Sequence, residues 1–265
     1  MLRSKSALAD RRITVYLFLL TLFVYSYFWA GGGWNQNANF DLTRLRNARV
    51  ELMAGGRVVG EATVSELTSE GGGCPVWPRA RLTQAGGASP IPPWSVAFVA
   101  GRTKPIRVDS IESLSRTDSS RLAIDVAKVA SALPEDTSRV FQGLPFNVRS
   151  ALRFSPAPGV EAFIAEVRRS LNLEANPRQE HLLIIGERES AQSGERFRAA
   201  YFERTSGPEE SVETTDVLAI VEVAGRALPS IVLSRDFGDG VTFALLERDS
   251  AGQWKLRWTS AYAGC

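Results

Sequence analysis

The sequence is poor in the residues that most often do chemistry. It holds one histidine, His181, and two cysteines, Cys74 and Cys265, in 265 residues. A zinc site of ordinary Cys and His ligands is therefore excluded, as is C-x-x-C-H haem attachment. A Ser-His-Asp system would have to use His181, and no serine sits in a G-x-S-x-G elbow. His181 itself reads as a half-buried residue at the edge of the apolar run LLII. The glycine triplets Gly31 to Gly33 and Gly71 to Gly73 follow no strand and open no G-x-G-x-x-G or Walker loop, which argues against a phosphate cradle. Glu209 and Glu210, a paired-acid candidate, stand among Gly, Pro and Ser and read as a solvated turn. These shortages nominate no catalytic and no cofactor-binding residue, and no cofactor is expected.

Excess charge is missing too. Residues 1 to 30 carry four Lys and Arg against one Asp, and the rest of the chain carries 27 bases against 28 acids. A nearly neutral body lacks the basic face that nucleic acid requires, so no nucleic acid is expected as a partner.

One long apolar run is present. Ile13 to Ala30, ITVYLFLLTLFVYSYFWA, has no charged residue and as a helix would reach roughly 27 Å, close to the thickness of a bilayer core. Arg3, Lys5, Arg11 and Arg12 precede it, whereas Gly31 to Thr43 have no Lys or Arg. The positive-inside bias then predicts a cytoplasmic tail (1–12), a transmembrane helix (13–30), a stem (31–46) and an exported body (47–265), with a split near 177 left open. A cleaved signal peptide is the alternative, and Phe28 stands where a small residue should precede the cut. The expected location is a bacterial inner membrane, single-pass, with the body periplasmic. Tyr25, Tyr27, Phe28, Trp29 and Trp34 suit an aromatic belt at the outer interface, and Tyr16, Phe18 and Phe23 offer flat surfaces to a neighbouring helix, a lipid or a pigment. In an oxidising compartment Cys74 and Cys265 are disulfide candidates, with two separate thiols as the alternative.

Along the body, ARVELMA, Gly55-Gly56 and RVVGEATV read as a hairpin, and Trp94 to Ala100 as a strand followed by Ile106 to Val108. Thr117 or Asp118 caps a predicted helix whose stripe is Leu122, Val126, Val129 and Leu133, ended by Pro134. Val160, Phe163, Ile164, Val167 and Leu171 predict a second amphipathic helix to about Glu174, with Arg168 and Arg169 outside its stripe. From His181 onward, HLLIIGERE, RFRAAYFER, DVLAIVEVA, SIVLSR, VTFALLER and QWKLRWT read as an antiparallel meander. In the last of these, Trp254, Leu256 and Trp258 alternate with polar residues as in a strand buried on one face. The expected fold class is α+β: a β-hairpin region, two amphipathic helices and a C-terminal antiparallel meander behind a single transmembrane helix.

Two short resemblances can be drawn. WNQNANFDLTR, Trp34 to Arg44, is similar to the loop after the first span in some polyprenyl-phosphate-dependent glycosyltransferases, over about a dozen residues, and carries over no activity or residue. Asp236-Phe237-Gly238-Asp239-Gly240 resembles the aspartate-glycine turns of FG-GAP repeats, which makes Asp236 and Asp239 the metal candidates, for calcium. A plain hairpin turn is the other reading of that stretch. The expected function is a non-enzymatic, single-pass accessory subunit that docks on and stabilises a larger membrane complex, with photosynthetic or respiratory assemblies as its expected home. Its partners are then integral membrane subunits of that complex and the bilayer. The alternatives are a membrane-tethered periplasmic hydrolase and a monomeric envelope binding module.

Overall fold

The computed structural model describes residues 45–68, 79–84, 93–135, 139–172, 176–189, 196–225 and 228–264. The tail, the 13–30 run with its aromatics, Trp34, Cys74 and Cys265 lie outside the described residues.

Strands dominate. Sheet one has the order β3-β2-β1-β4, built from β1 (Arg49–Ala54), β2 (Arg57–Thr68), β3 (Arg79–Gln84) and β4 (Val96–Val99). Sheet two has the order β10-β9-β8-β7-β6, from β6 (Asp109–Ser110), β7 (Asn147–Ala157), β8 (Val160–Leu171), β9 (Arg178–Glu189) and β10 (Arg198–Pro208). Sheet three has the order β14-β13-β12-β11-β5, from β5 (Thr103–Pro105), β11 (Thr214–Val223), β12 (Pro229–Asp236), β13 (Gly240–Arg248) and β14 (Trp254–Thr259), with β15 (Ala263–Gly264) also on β13. Helix α1 (Arg116–Ala132) is the one α-helix among the described residues.

The apolar clusters give the stacking. Leu122, Val126 and Val129 of α1 pack on Phe163, Ala165, Val167, Leu182 and Ile184 of sheet two. Burying each such aliphatic side chain contributes about 1.5–3 kcal/mol, which is what holds the helix on the sheet. The opposite face of sheet two, with Phe154, Ile164, Leu183 and Ile185, meets Ile220, Ile231, Leu233, Leu246 and Trp254 of sheet three. The far face of sheet three, through Val221, Val232, Phe243 and Leu245, meets Met53, Val96 and Phe98 of sheet one. Helix, sheet two, sheet three and sheet one therefore lie in that order.

The first hairpin forms as its sequence predicts, with Gly55 and Gly56 both at positive φ in the turn. Helix α1 keeps its predicted stripe, but its cap is Ser115, whose Oγ accepts from the Asp118 amide at 3.2 Å.

The α+β expectation is corrected: the protein is mostly β, in three antiparallel sheets. The predicted second helix is strand β8, which pairs with β7 on one side and β9 on the other. Its spacing misleads because the strand is buried on both faces. Phe163, Ala165 and Val167 face α1, Ala162 and Ile164 face sheet three, and a run without alternation cannot be told from a helix by period. The C-terminal meander is also two objects, since β9 and β10 complete sheet two and β11 to β14 build sheet three. Strand β14 does not keep one face. A register shift leaves Arg257 extra, so Leu256 pairs with Leu246 and Trp258 with Leu245; Leu256 is then exposed while Trp258 packs toward sheet one.

The membrane expectations are corrected as well. Among the described residues no helix is long and apolar enough to cross a membrane. That finding gives no support to a transmembrane helix, to single-pass topology or to the inner-membrane placement built on them, and says nothing of strands that cross.

Gly186 on β9 lies against the Phe163 ring, so that a Cβ there would meet ring carbons at 2.4 Å. We expect Gly186→Ala to lower unfolding free energy by about 1–3 kcal/mol, the usual cost of overpacking a core, in a denaturant titration. A variant as stable as the parent would contradict this packing.

Candidate functional site

Along its inner face sheet two changes from apolar to polar. On β8 the residues after Ile164 on that face are Glu166, Arg168 and Ser170, and on β9 those before Leu183 are His181 and Gln179. A bulge in β7 between Val148 and Ser150 leaves Arg149 unpaired in the ladder and sends its guanidinium between the two sheets. The turn Glu209–Ser211, between β10 and β11, closes over this end, with the Glu209 amide donating to the Pro177 carbonyl at 3.0 Å.

These residues form one chain of hydrogen bonds. Arg149 pairs with Glu166 and also reaches Asp216 at 3.3 Å. The other Glu166 oxygen lies 2.9 Å from His181 Nδ1, and His181 Nε2 lies 2.9 Å from Gln179 Oε1. The Gln179 amide nitrogen donates to Glu209. With that orientation the Gln179 oxygen is left to accept, and His181 Nε2 is the nitrogen that faces it. Burial opposes the Arg149 charge, but the Glu166 and Asp216 carboxylates outweigh it and raise the Arg149 pKa. Glu166, Gln179 and His181 are all buried. Both His181 ring nitrogens are committed to this chain and neither contacts a serine.

Three further ion networks hold the layers together. On the helix side of sheet two, Arg169 is 2% exposed; its Nε donates to Glu180 at 2.6 Å and it pairs with Glu135 at 2.5 Å. Its guanidinium lies 4.6 Å from the centre of the Phe146 ring. Arg204 reaches the same Glu180 at 2.7 Å and the Pro134 carbonyl at 2.6 Å, which fixes the segment leaving α1. Toward sheet three, Arg235 of β12 pairs with Glu203 of β10 at 2.5 Å and with Glu213 at 3.5 Å, and Tyr201 donates to Glu203. Burial raises the Glu213 pKa; Arg235 opposes the shift and the nearby Glu203 adds to it. At the other end of the sandwich Arg248 grips Glu187 with two nitrogens, at 2.9 and 3.1 Å, and Trp254 donates to Glu187 at 2.7 Å.

Asp236 and Asp239 lie in the β12–β13 turn. Asp236 accepts from the Gly238 amide at 2.7 Å and Asp239 from the Tyr262 hydroxyl at 2.7 Å. Gly238 takes a φ of +84°, as such a turn requires. Among the described residues no group of three or more His, Cys, Asp or Glu is placed to hold a metal ion. The sequence reading placed His181 at a strand edge; the structure seats it inside β9 and buries it. It missed Arg149, Glu166, Gln179 and Glu209, for which the available signal was the charged pairs Arg168-Arg169 and Glu180-His181 interrupting apolar strands.

Comparison with family models, curated proteins and solved structures finds no match to the chain.

Glu166→Gln strips the charge that balances Arg149, and removing one partner of a buried ion pair costs about 3–5 kcal/mol. Arg149 is one-third exposed, so we expect a loss near the lower end, read by thermal or urea melting. Glu213 tests the sign of a pH effect. Its raised pKa means the folded chain holds that proton more tightly, so its ionisation costs stability as pH rises from 4.5 through the folded pKa. Glu213→Gln should gain melting temperature over the parent at pH 7 and lose that advantage at pH 4.5. An advantage that grows on acidification would reverse the assignment.

Proposed function

We propose that the protein is a non-catalytic accessory component that docks on and stabilises a larger protein assembly, and that it does so along β10. The observation that carries this reading is the edge itself. β10 spans 11 residues, Arg198–Pro208, roughly 36 Å at strand rise, and among the described residues it pairs with β9 alone. Its one irregularity lies near the start, between Ala199 and Tyr201, and the ladder from Tyr201 to Pro208 is regular.

An open edge of this kind accepts an extended segment of another chain as a further strand, with main-chain hydrogen bonds giving affinity. The edge is also held rigid. Tyr201 and Glu203 are tied to sheet three through Arg235, and Arg204 is tied to Glu180 and Pro134. A partner strand therefore meets a formed template and pays little ordering cost on this side. Phe202, 42% exposed on the helix side of β10, supplies an apolar contact beside the ladder. The occupant is an extended segment of a partner subunit. The titratable groups of the sandwich support the non-catalytic half of the reading, because His181, Glu166, Glu180 and Glu187 are each consumed by internal partners.

The test compares the tagged full chain with its Phe202→Lys variant, both isolated from native cells. We expect a stoichiometric companion with the parent and its loss from a variant that melts at the parent's temperature, because a charge beside an edge blocks strand addition. A parent that migrates alone, or a companion retained by the variant, would overturn docking at β10.

A further inference from the structure

The polar end of the sandwich opens into a cleft of about 460 Å³ lined by Leu144, Pro145, Asn147, Arg168, Ser170, Asn172, Gln179 and Glu209. That volume lies within the range of small-molecule sites. Four arginines that project from sheets two and three are paired, Arg149 with Glu166, Arg169 with Glu180, Arg204 with Glu180 and Arg235 with Glu203. Arg168 is exposed and, among the described residues, makes no ion pair or hydrogen bond. Its backbone is fixed by pairing with Asn147 of β7 and His181 of β9. Strand β8 therefore presents a free guanidinium from a rigid position.

We propose that this cleft binds a sugar acid, a hydroxyl-rich molecule with a single carboxylate, and that Arg168 is its carboxylate anchor. The guanidinium fork matches a planar carboxylate with two parallel hydrogen bonds. The amides of Asn147, Asn172 and Gln179 and the Ser170 hydroxyl offer both donors and acceptors, which suits hydroxyl groups. Glu209 gives one oxygen to Gln179, and its negative charge opposes a doubly charged ligand such as phosphate. No aromatic ring lines the cleft among the described residues, so a nucleobase finds no stacking surface. The site shares no lining residue with β10, and the proposal stands apart from the docking reading.

The test is calorimetric titration of the full chain with galacturonate, with its linear trimer, with galactose as the uncharged counterpart and with inorganic phosphate. Parent, Arg168→Gln and Arg168→Lys chains are compared after their melting curves are matched. We expect saturable uronate binding, with galactose weaker by about tenfold or more, the worth of a charge-assisted hydrogen bond. Arg168→Gln should bring uronate affinity down to that of galactose, and Arg168→Lys should fall between because it keeps charge and loses the fork. Whether the monomer or the trimer binds more tightly tells a free sugar acid from one within a glycan. No saturable uronate binding, affinity unchanged in Arg168→Gln, or phosphate binding as tight as uronate would each overturn the proposal.

Discussion

The pairing of β8 with β9 is the constraint on which the other layers depend. Twelve positions of each strand align without a break, from Val160 opposite Glu189 to Leu171 opposite Arg178. The two strands are covered on both faces, by α1 on one side and sheet three on the other. A slip of one residue would turn every side chain to the opposite face. Here the register is fixed by charge as well as by packing. Arg169 meets Glu180 on the helix face, Glu166 meets His181 on the sheet-three face, and a slip would strand all four in apolar surroundings.

Buried ion pairs are weak evidence for net stability, because desolvation offsets much of their attraction. Their effect in this protein is better described as choice among alternatives. The helix needs only an apolar stripe to lie on sheet two, and such a stripe permits several positions. Glu135 on Arg169, with Pro134 on Arg204, fixes where the chain leaves α1. Arg235 with Glu203, and Arg248 with Glu187, likewise lock sheet three to sheet two at separate points. Apolar contact supplies the cohesion, and charge supplies the alignment.

The hairpin around Gly55 and Gly56 and helix α1 were legible because polar residues mark the side that meets water. Strands β9, β12 and β13 are buried on both faces and were legible instead as short apolar runs set between turn residues. Strand β8 has no exposed side over Ala162 to Val167, so its apolar residues fell by chance at helical intervals. The bulge in β14 defeated the alternation argument in another way, because one extra residue moved Trp258 to the other face. The candidate site was hidden for a third reason. Arg149, Glu166, Gln179 and Glu209 come from four separate segments, and only the register of β7, β8 and β9 brings them together. Asp236 and Asp239 drew notice as local neighbours, and their carboxylates serve the turn and Tyr262.

The two surfaces assigned roles here meet at one connection. β10 ends at Pro208, and the next residue, Glu209, is tied to Pro177 through its amide and to Gln179 through its carboxylate. The edge strand and the cleft are thus held by the same turn but present different atoms. Strand addition uses the outward backbone groups of β10, while a ligand in the cleft meets side chains of β8, β9 and the loops beside them. Neither occupant displaces the other, so the geometry permits both at once. Any coupling between them would have to pass through the Gln179–Glu209 contact, where ligand hydroxyls compete for the same carboxylate that anchors the end of β10.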